Sequence, residues 1–167
     1  QINGQILLTK DDFESSQRKS NARNTFLTSF KNNVIPIVNE NDTTAVDEIK
    51  IGDNDNLSAS VAILIDADLL IIFSDIDGLY TCDPRKHKSK AKLIHKVVKI
   101  TGEIEKYCSD SGTSVGTGGM ITKIEAAKRV TNAGIPMVIA NGNLPNCLTD
   151  NIAGKEIGTL FYPVEDK

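Results

Sequence analysis

Three runs of the chain concentrate the residues that could do chemistry. The first, Asn39 to Asn56, sets six carboxylates (Glu40, Asp42, Asp47, Glu48, Asp53 and Asp55) against one cation, Lys50. Crowded carboxylates raise one another's energy unless cations or hydrogen-bond donors meet them. The run therefore suits an ammonium group, a metal ion or both; read plainly, it is a solvated polar loop with a helix N-cap at Asn56. An EF-hand is excluded, because Asp53-Asn54-Asp55-Asn56-Leu57 leads to Ser58 where that loop needs Gly, and to Leu64 where it needs a bidentate Glu. The second run, Ser74 to Arg85, opens as Ser74-Asp75-Ile76-Asp77-Gly78-Leu79-Tyr80 and closes on Asp83-Pro84-Arg85. A serine and an aspartate at a strand's carboxyl end suit a ribose, a phosphate or a metal ion, and Asp-x-Asp-Gly is equally a turn. The third, Gly112 to Lys123, holds four glycines and four hydroxyls before a helical pattern. Glycines let backbone approach an anion, and helical N–H groups with their dipole favour phosphate. A lysine just inside a helix start opposes that dipole, and a bound phosphate would compensate it. The run is neither a Walker A motif nor a G-x-G-x-x-G fingerprint.

These runs need elements to hold them. Short apolar stretches alternate with helical patterns, which predicts an α/β fold with a mainly parallel sheet sandwiched by helices. Predicted strands are Gln5–Leu8, Val34–Val38, Leu69–Phe73, Met137–Ala140 and Thr159–Tyr162; predicted helices are Ala22–Asn32, Asn56–Ala67, Thr101–Cys108 and Ile121–Ala133. The stretch 69–73 has no polar member and is expected to be covered on both faces. Leu57, Val61, Leu64 and Ile65 form one apolar helix face, as do Met120, Ile124, Ala127 and Val130, with Lys123, Glu125, Lys128 and Arg129 turned elsewhere. Gly134 is a helix C-cap candidate, with Pro136 beyond it. All three runs are expected on the carboxyl side of strands, where open α/β sheets bind ligands.

Composition narrows the class. With 167 residues, 40% hydrophobic and 25% charged, the chain is in the globular range, and 19 basic against 22 acidic residues give no sign of a nucleic-acid binder. No apolar run approaches the roughly 18 residues of a membrane helix. Cys82, Cys108 and Cys147 have neither the number nor the spacing of a disulfide scaffold or zinc ribbon, and His87 and His95 sit isolated in a basic stretch. A reducing, cytoplasmic setting is expected. The first residue is Gln1, not Met, and an apolar stretch arrives at once, so a piece of a longer chain is also expected.

Taken together, Asn39-Glu40-Asn41-Asp42, Gly52-Asp53-Asn54-Asp55-Asn56-Leu57-Ser58-Ala59, the Ser74–Arg85 run and Gly116-Thr117-Gly118-Gly119-Met120-x-Thr122-Lys123 resemble the amino acid kinase family. Within it they resemble the branch that phosphorylates the γ-carboxylate of glutamate with ATP, the first step of proline synthesis. The first two blocks are the specific ones; the glycine run is shared more widely with sister kinases, of which aspartate and acetylglutamate kinases are the alternatives. A non-catalytic module binding proline or glutamate is the alternative from another class. The resemblance implies glutamate contacts at Asp42 and Asn54. It implies ATP contacts at Ser74 and Asp75 and along Thr117, Gly118, Gly119, Met120, Ile121, Thr122 and Lys123. Lys123 is the implied catalytic cation and Asp55 the carboxylate that organises it. Mg²⁺ accompanying ATP, feedback inhibition by proline and a homo-oligomer are also implied. The resemblance makes residues 1–167 the C-terminal two-thirds of an amino acid kinase domain. The family's N-terminal portion, with a Lys-x-Gly-Ser phosphate-binding segment, is not in this sequence, so this chain alone is expected to be inactive.

Overall fold

The computed structural model describes residues 1–44, 53–109 and 119–164. Strand β1 (Ile2–Leu8) pairs in parallel with β2 (Val34–Glu40), Ile2 opposite Val34. Between them run a single turn, α1 (Asp11–Glu14), and the long α2 (Ser16–Lys31). Helix α3 (Asn54–Ile65) then leads to β3 (Leu70–Ser74). After the two-residue β4 (Lys96–Val97) come α4 (Gly102–Ser109), α5 (Met120–Asn132), β5 (Met137–Asn141), α6 (Cys147–Ile152) and β6 (Thr159–Phe161). The second sheet has the order β3-β5-β6-β4, with β3–β5 and β4–β6 parallel and β5–β6 antiparallel. The α/β class and mainly parallel pairing agree with the sequence reading.

Helix α3 explains how the two sheets share one body. Leu57 and Leu64 join Leu8, Ala22 and Phe26 in a core under β1–β2, with Val61 and Ile65 packed against it. Ala59 and Ala62, on another face of the same helix, join Ile72, Ile124, Ala126, Val130, Met137, Ile139 and Phe161 in the core of the second sheet. The sequence pattern showed only the first of these faces, because alanines do not stand out against a leucine and valine stripe.

Several expectations are corrected. The strand expected to be covered on both faces is an edge: Phe73 on β3 is 46% exposed, whereas Met137, Val138, Ile139 and Ala140 of β5 are all buried. A strand so apolar is suited to a central place, but among the described residues β3 pairs only with β5. Helix α2 starts six residues earlier than predicted, through the polar Ser16–Asn21, which has no apolar period to read. Helix α3 is capped by Asp53, not Asn56: the Asp53 Oδ1 accepts from the Asn56 N–H at 2.7 Å. The glycine run follows helix α4 and not a strand. On the β1–β2 face turned from α2, Ile35 and Ile37 are exposed, as is Leu7.

One interlock ties the second run to β6. The buried Thr159 hydroxyl accepts from the Leu79 N–H at 2.8 Å and donates to the Ile94 carbonyl at 2.6 Å, so both capacities of the group are used. Gly78 lies beside it at φ 152°, and a Cβ there would stand 2.5 Å from the Thr159 Oγ1.

Candidate active site

The N-terminal turns of α3 and α5 meet. Asp55 Oδ2 accepts from the Thr122 hydroxyl at 2.7 Å and from the Lys123 ammonium at 3.0 Å. The side chains of Lys123 and Asp55 are only 10% and 14% exposed. Lys123 is therefore not on the outward face that its helix pattern suggested. Its sequence neighbours are polar, but its partner lies 68 residues away on another helix, and an ion pair offsets the cost of burying it. Thr122 Oγ1 also lies 2.7 Å from the Gly119 carbonyl, so its one proton is shared between two acceptors. Gly119 occupies the N-cap of α5 with no side chain to fill the space before the helix. Met120 and Ile121 begin α5, and Ile121 is exposed. Thr117 and Gly118, with the rest of the glycine run, lie outside the described residues.

The other predicted positions are placed as follows. Asp42 is exposed on the turn after β2, where the Thr44 N–H donates to the Asn41 carbonyl at 3.1 Å. Asn54 is the exposed first residue of α3, next to Asp55. Ser74 ends β3, its hydroxyl 3.3 Å from Asp75 Oδ1, and Asp75 is exposed. The structure thus brings Asp55, Thr122 and Lys123 into one contact, with Asn54 alongside. Ser74 and Asp75 stand together at the carboxyl end of β3.

Sequence reasoning missed the residues that hold these groups. Asp77 accepts from Asn141 Nδ2 of β5 at 2.9 Å and from the Tyr80 hydroxyl at 2.9 Å, anchoring the loop that carries Ser74 and Asp75. Burial, reinforced by the Asp77 carboxylate, raises the Tyr80 phenol above its ordinary value, which keeps it a donor. Asp77 was legible as a loop carboxylate; Asn141, 64 residues on, gave no local signal. Arg129, read as outward, donates from Nη1 to the Asn56 carbonyl and Oδ1 at 3.1 Å each, and from Nη2 to Ser60 Oγ at 2.8 Å.

Asp83 closes the second run. Its side chain is 4% exposed and accepts from the Arg85 N–H at 2.9 Å, while its carbonyl accepts from the Lys86 and His87 N–H groups. The Arg85 backbone bond, outweighing burial, and the Arg85 guanidinium hold the carboxyl below its usual value of 3.8. A folded-state value below the unfolded one adds stability that is full above the unfolded value and is lost as pH falls through the folded one. Asp83→Asn is expected to lower the melting temperature near neutral pH. That deficit should shrink as pH drops from 3.8 through the lowered value, followed by thermal melts across the acid range.

The N-termini of two helices are thus joined by a buried ion pair at one edge of an α/β fold, and the chain belongs to the amino acid kinase family, whose model matches residues 3–141. Within that family it is 55% identical over 166 residues to the glutamate 5-kinase of Carboxydothermus hydrogenoformans, covering 99% of this chain and 44% of that protein. It is 54% identical over 162 residues both to the glutamate 5-kinase of Geobacter metallireducens (97% of this chain, 43% of that protein) and to that of Clostridium tetani (97% and 60%). The chain thus spans about half the length of the curated relatives it matches. Among solved structures, the UMP kinase from Bacillus anthracis superposes with a TM-score of 0.59 at 20% identity, covering 86% of this chain and 52% of that one. The T. acidophilum isopentenyl phosphate kinase gives 0.58 at 20% identity, covering 83% and 52%. At that identity these two show the fold.

Proposed function

We propose that this chain carries most of the substrate and nucleotide contacts of a glutamate 5-kinase, transferring the γ-phosphoryl group of ATP to the γ-carboxylate of L-glutamate. The buried Lys123–Asp55 contact at the N-terminus of α5 carries this reading. It keeps one positive charge at a fixed place at the start of α5, a helix end that suits phosphate. A glutamate γ-carboxylate titrates near about 4.3 and is ionised at neutral pH, so the nucleophile needs no general base. The remaining task is to bring two anions together in line and to screen the charge that develops on the transferring oxygens. Lys123 supplies charge, and Asp55 with Thr122 fixes where that charge sits. Asp42 and Asn54 would receive the α-ammonium and polar groups of glutamate; the carboxylate at Asp42 answers the one cationic group of an otherwise acidic substrate. Ser74 and Asp75 would contact the nucleotide on the loop that Asp77 and Asn141 anchor.

Mg²⁺ arriving with ATP would screen the phosphate oxygens. Such an ion would be held chiefly by phosphate oxygens and water. Residues 1–167 are read as the C-terminal two-thirds of an amino acid kinase domain, a reading supported by the exposed Ile35 and Ile37 on the outer face of β1–β2. No described helix is long and apolar enough to cross a membrane. A cytoplasmic location, proline as feedback inhibitor and a homo-oligomer follow from the same reading.

The test is ATP-dependent formation of γ-glutamyl phosphate, trapped as the hydroxamate. It is run on this chain alone and on a chimera in which the chain replaces the matched segment of the Carboxydothermus hydrogenoformans relative. The chimera is expected to turn over glutamate in preference to aspartate and acetylglutamate, and the chain alone to be inactive. A chimera that folds and prefers another acceptor would overturn the substrate assignment.

A further inference from the structure

Arg129 stands two turns along α5 from the reacting end, yet its guanidinium reaches across to α3. Its three bonds go to one short stretch of that helix: the Asn56 carbonyl, the Asn56 side-chain oxygen and the Ser60 hydroxyl. Asn56 is itself gripped from the other side, its N–H and Nδ2 donating to Asp53 Oδ1 and Oδ2 at 2.7 and 2.9 Å. Asp55, which meets Lys123, lies between Asp53 and Asn56 in that same turn.

The geometry of α5 makes this a clamp with two points. Thr122, Ala126 and Arg129 follow i, i+4, i+7 spacing and so share one helix face. Thr122 bonds Asp55, and Arg129, about 10 Å further along the axis, bonds Asn56 and Ser60. Between the two points the helices meet through small side chains, with Ala59 of α3 and Ala126 of α5 both fully buried in the same core. Where α3 meets α5 the alanine contacts interlock no large side chain between the two helices, so the polar bonds at either end help to fix the angle at which their first turns meet. Asp55 sits in the first turn of α3, where a small rotation displaces its carboxylate from the Lys123 ammonium. A fork of fixed donors is well suited to holding such an angle, and an ammonium is not.

We propose that Arg129 is a positioning residue: by locking α3 against α5 it sets the Asp55–Lys123 contact. This rests on the reading of that pair as phosphoryl-transfer machinery. Arg129 touches no reacting atom and acts through Asn56.

The experiment uses the chimera described above for kinetics and the chain itself for structure. Arg129→Ala is expected to lower kcat about tenfold while both KM values stay within about twofold, as a displaced catalytic charge demands. Arg129→Lys should recover only part of the loss. In an Asp55→Asn background, where the contact is already weakened, Arg129→Ala should cost less than about twofold. A full tenfold loss in that background, or no loss in the wild type, would overturn the proposal; a merely stabilising arginine predicts the first of these. Crystal structures of the Arg129→Ala chain supply a readout that needs no activity. The Asp55–Lys123 distance, 3.0 Å here, is expected to open beyond hydrogen-bonding range. An unchanged contact would overturn the proposal even if the chimera proved to be no glutamate kinase, and an inactive parent chimera with an opened contact would fault only the functional reading.

Discussion

Replacing Lys123 by alanine is expected to lower kcat about a thousandfold while the KM for glutamate moves less than about threefold, read from initial rates of the chimera. The asymmetry follows from where the ammonium is held. It is buried at the start of α5 by Asp55, at 3.0 Å, whereas the substrate's ammonium is assigned to Asp42. Under the proposed function, a charge so placed would act on phosphoryl oxygens whose negative charge grows during transfer. A loss confined to glutamate affinity would remove Lys123 from this role. The substitution also strands the Asp55 carboxylate with the Thr122 hydroxyl, and an unpaired buried charge costs about 3–5 kcal/mol. The double variant Lys123→Ala, Asp55→Asn removes that penalty. It should melt higher than Lys123→Ala alone and yet stay as slow, which separates the catalytic loss from the structural one.

Gly158→Ala is expected to be the most damaging single methyl in the described chain. Gly158 sits at φ 83°, and a Cβ there would stand 2.2 Å from the Ile139 carbonyl and 3.0 Å from the Ala140 Cβ. Ile139 and Ala140 are fully buried in β5, a strand with neighbours on both sides, so neither can yield. Positive φ strain and the overlap together should cost about 4 kcal/mol or more, roughly 10 °C in melting temperature for a chain of this size. Gly134→Ala is the control: it has φ 82° but no atom within 4 Å of the added methyl. It should show only the backbone strain, about 1 kcal/mol, and equal losses in the two variants would refute the steric account.

What the sequence made legible, and what it hid, divides along physical lines. Strands β2 and β5 and helix α5 are apolar runs or stripes bounded by polar turns, and the structure places them within a residue or two of the predicted ends. Helix α1, strand β4 and helix α6 are too short to carry a period. The sidedness of β3 was misread because five apolar residues indicate what a strand can bury, not which neighbours it has. At the site, the carboxylate run, the Ser74-Asp75 pair and the glycine run were visible as residue types suited to cations, nucleotide and phosphate. The Asp55–Lys123 contact could be named only through a family resemblance, because 68 residues separate the partners. Arg129 and Asn141 were invisible for the same reason. Each looks like a solvent-facing polar side chain until the fold brings its partner from a distant element, and a helical pattern marks a polar residue as outward even when it reaches across to the next helix.

The two-faced helix α3 has a consequence for how this molecule comes apart. One of its faces packs into the core of β1–β2 and another into the core of the second sheet, so both sheets lose part of their hydrophobic cover if that helix leaves. The two halves are therefore expected to melt together and not in succession, as one transition in a thermal melt. The first turn of α3, which carries Asp55, is tied to the core of β1–β2 through Leu57, and the next turn to the second core through Ala59. The Asp55 carboxylate that meets Lys123 thus stands on the helix that both cores share.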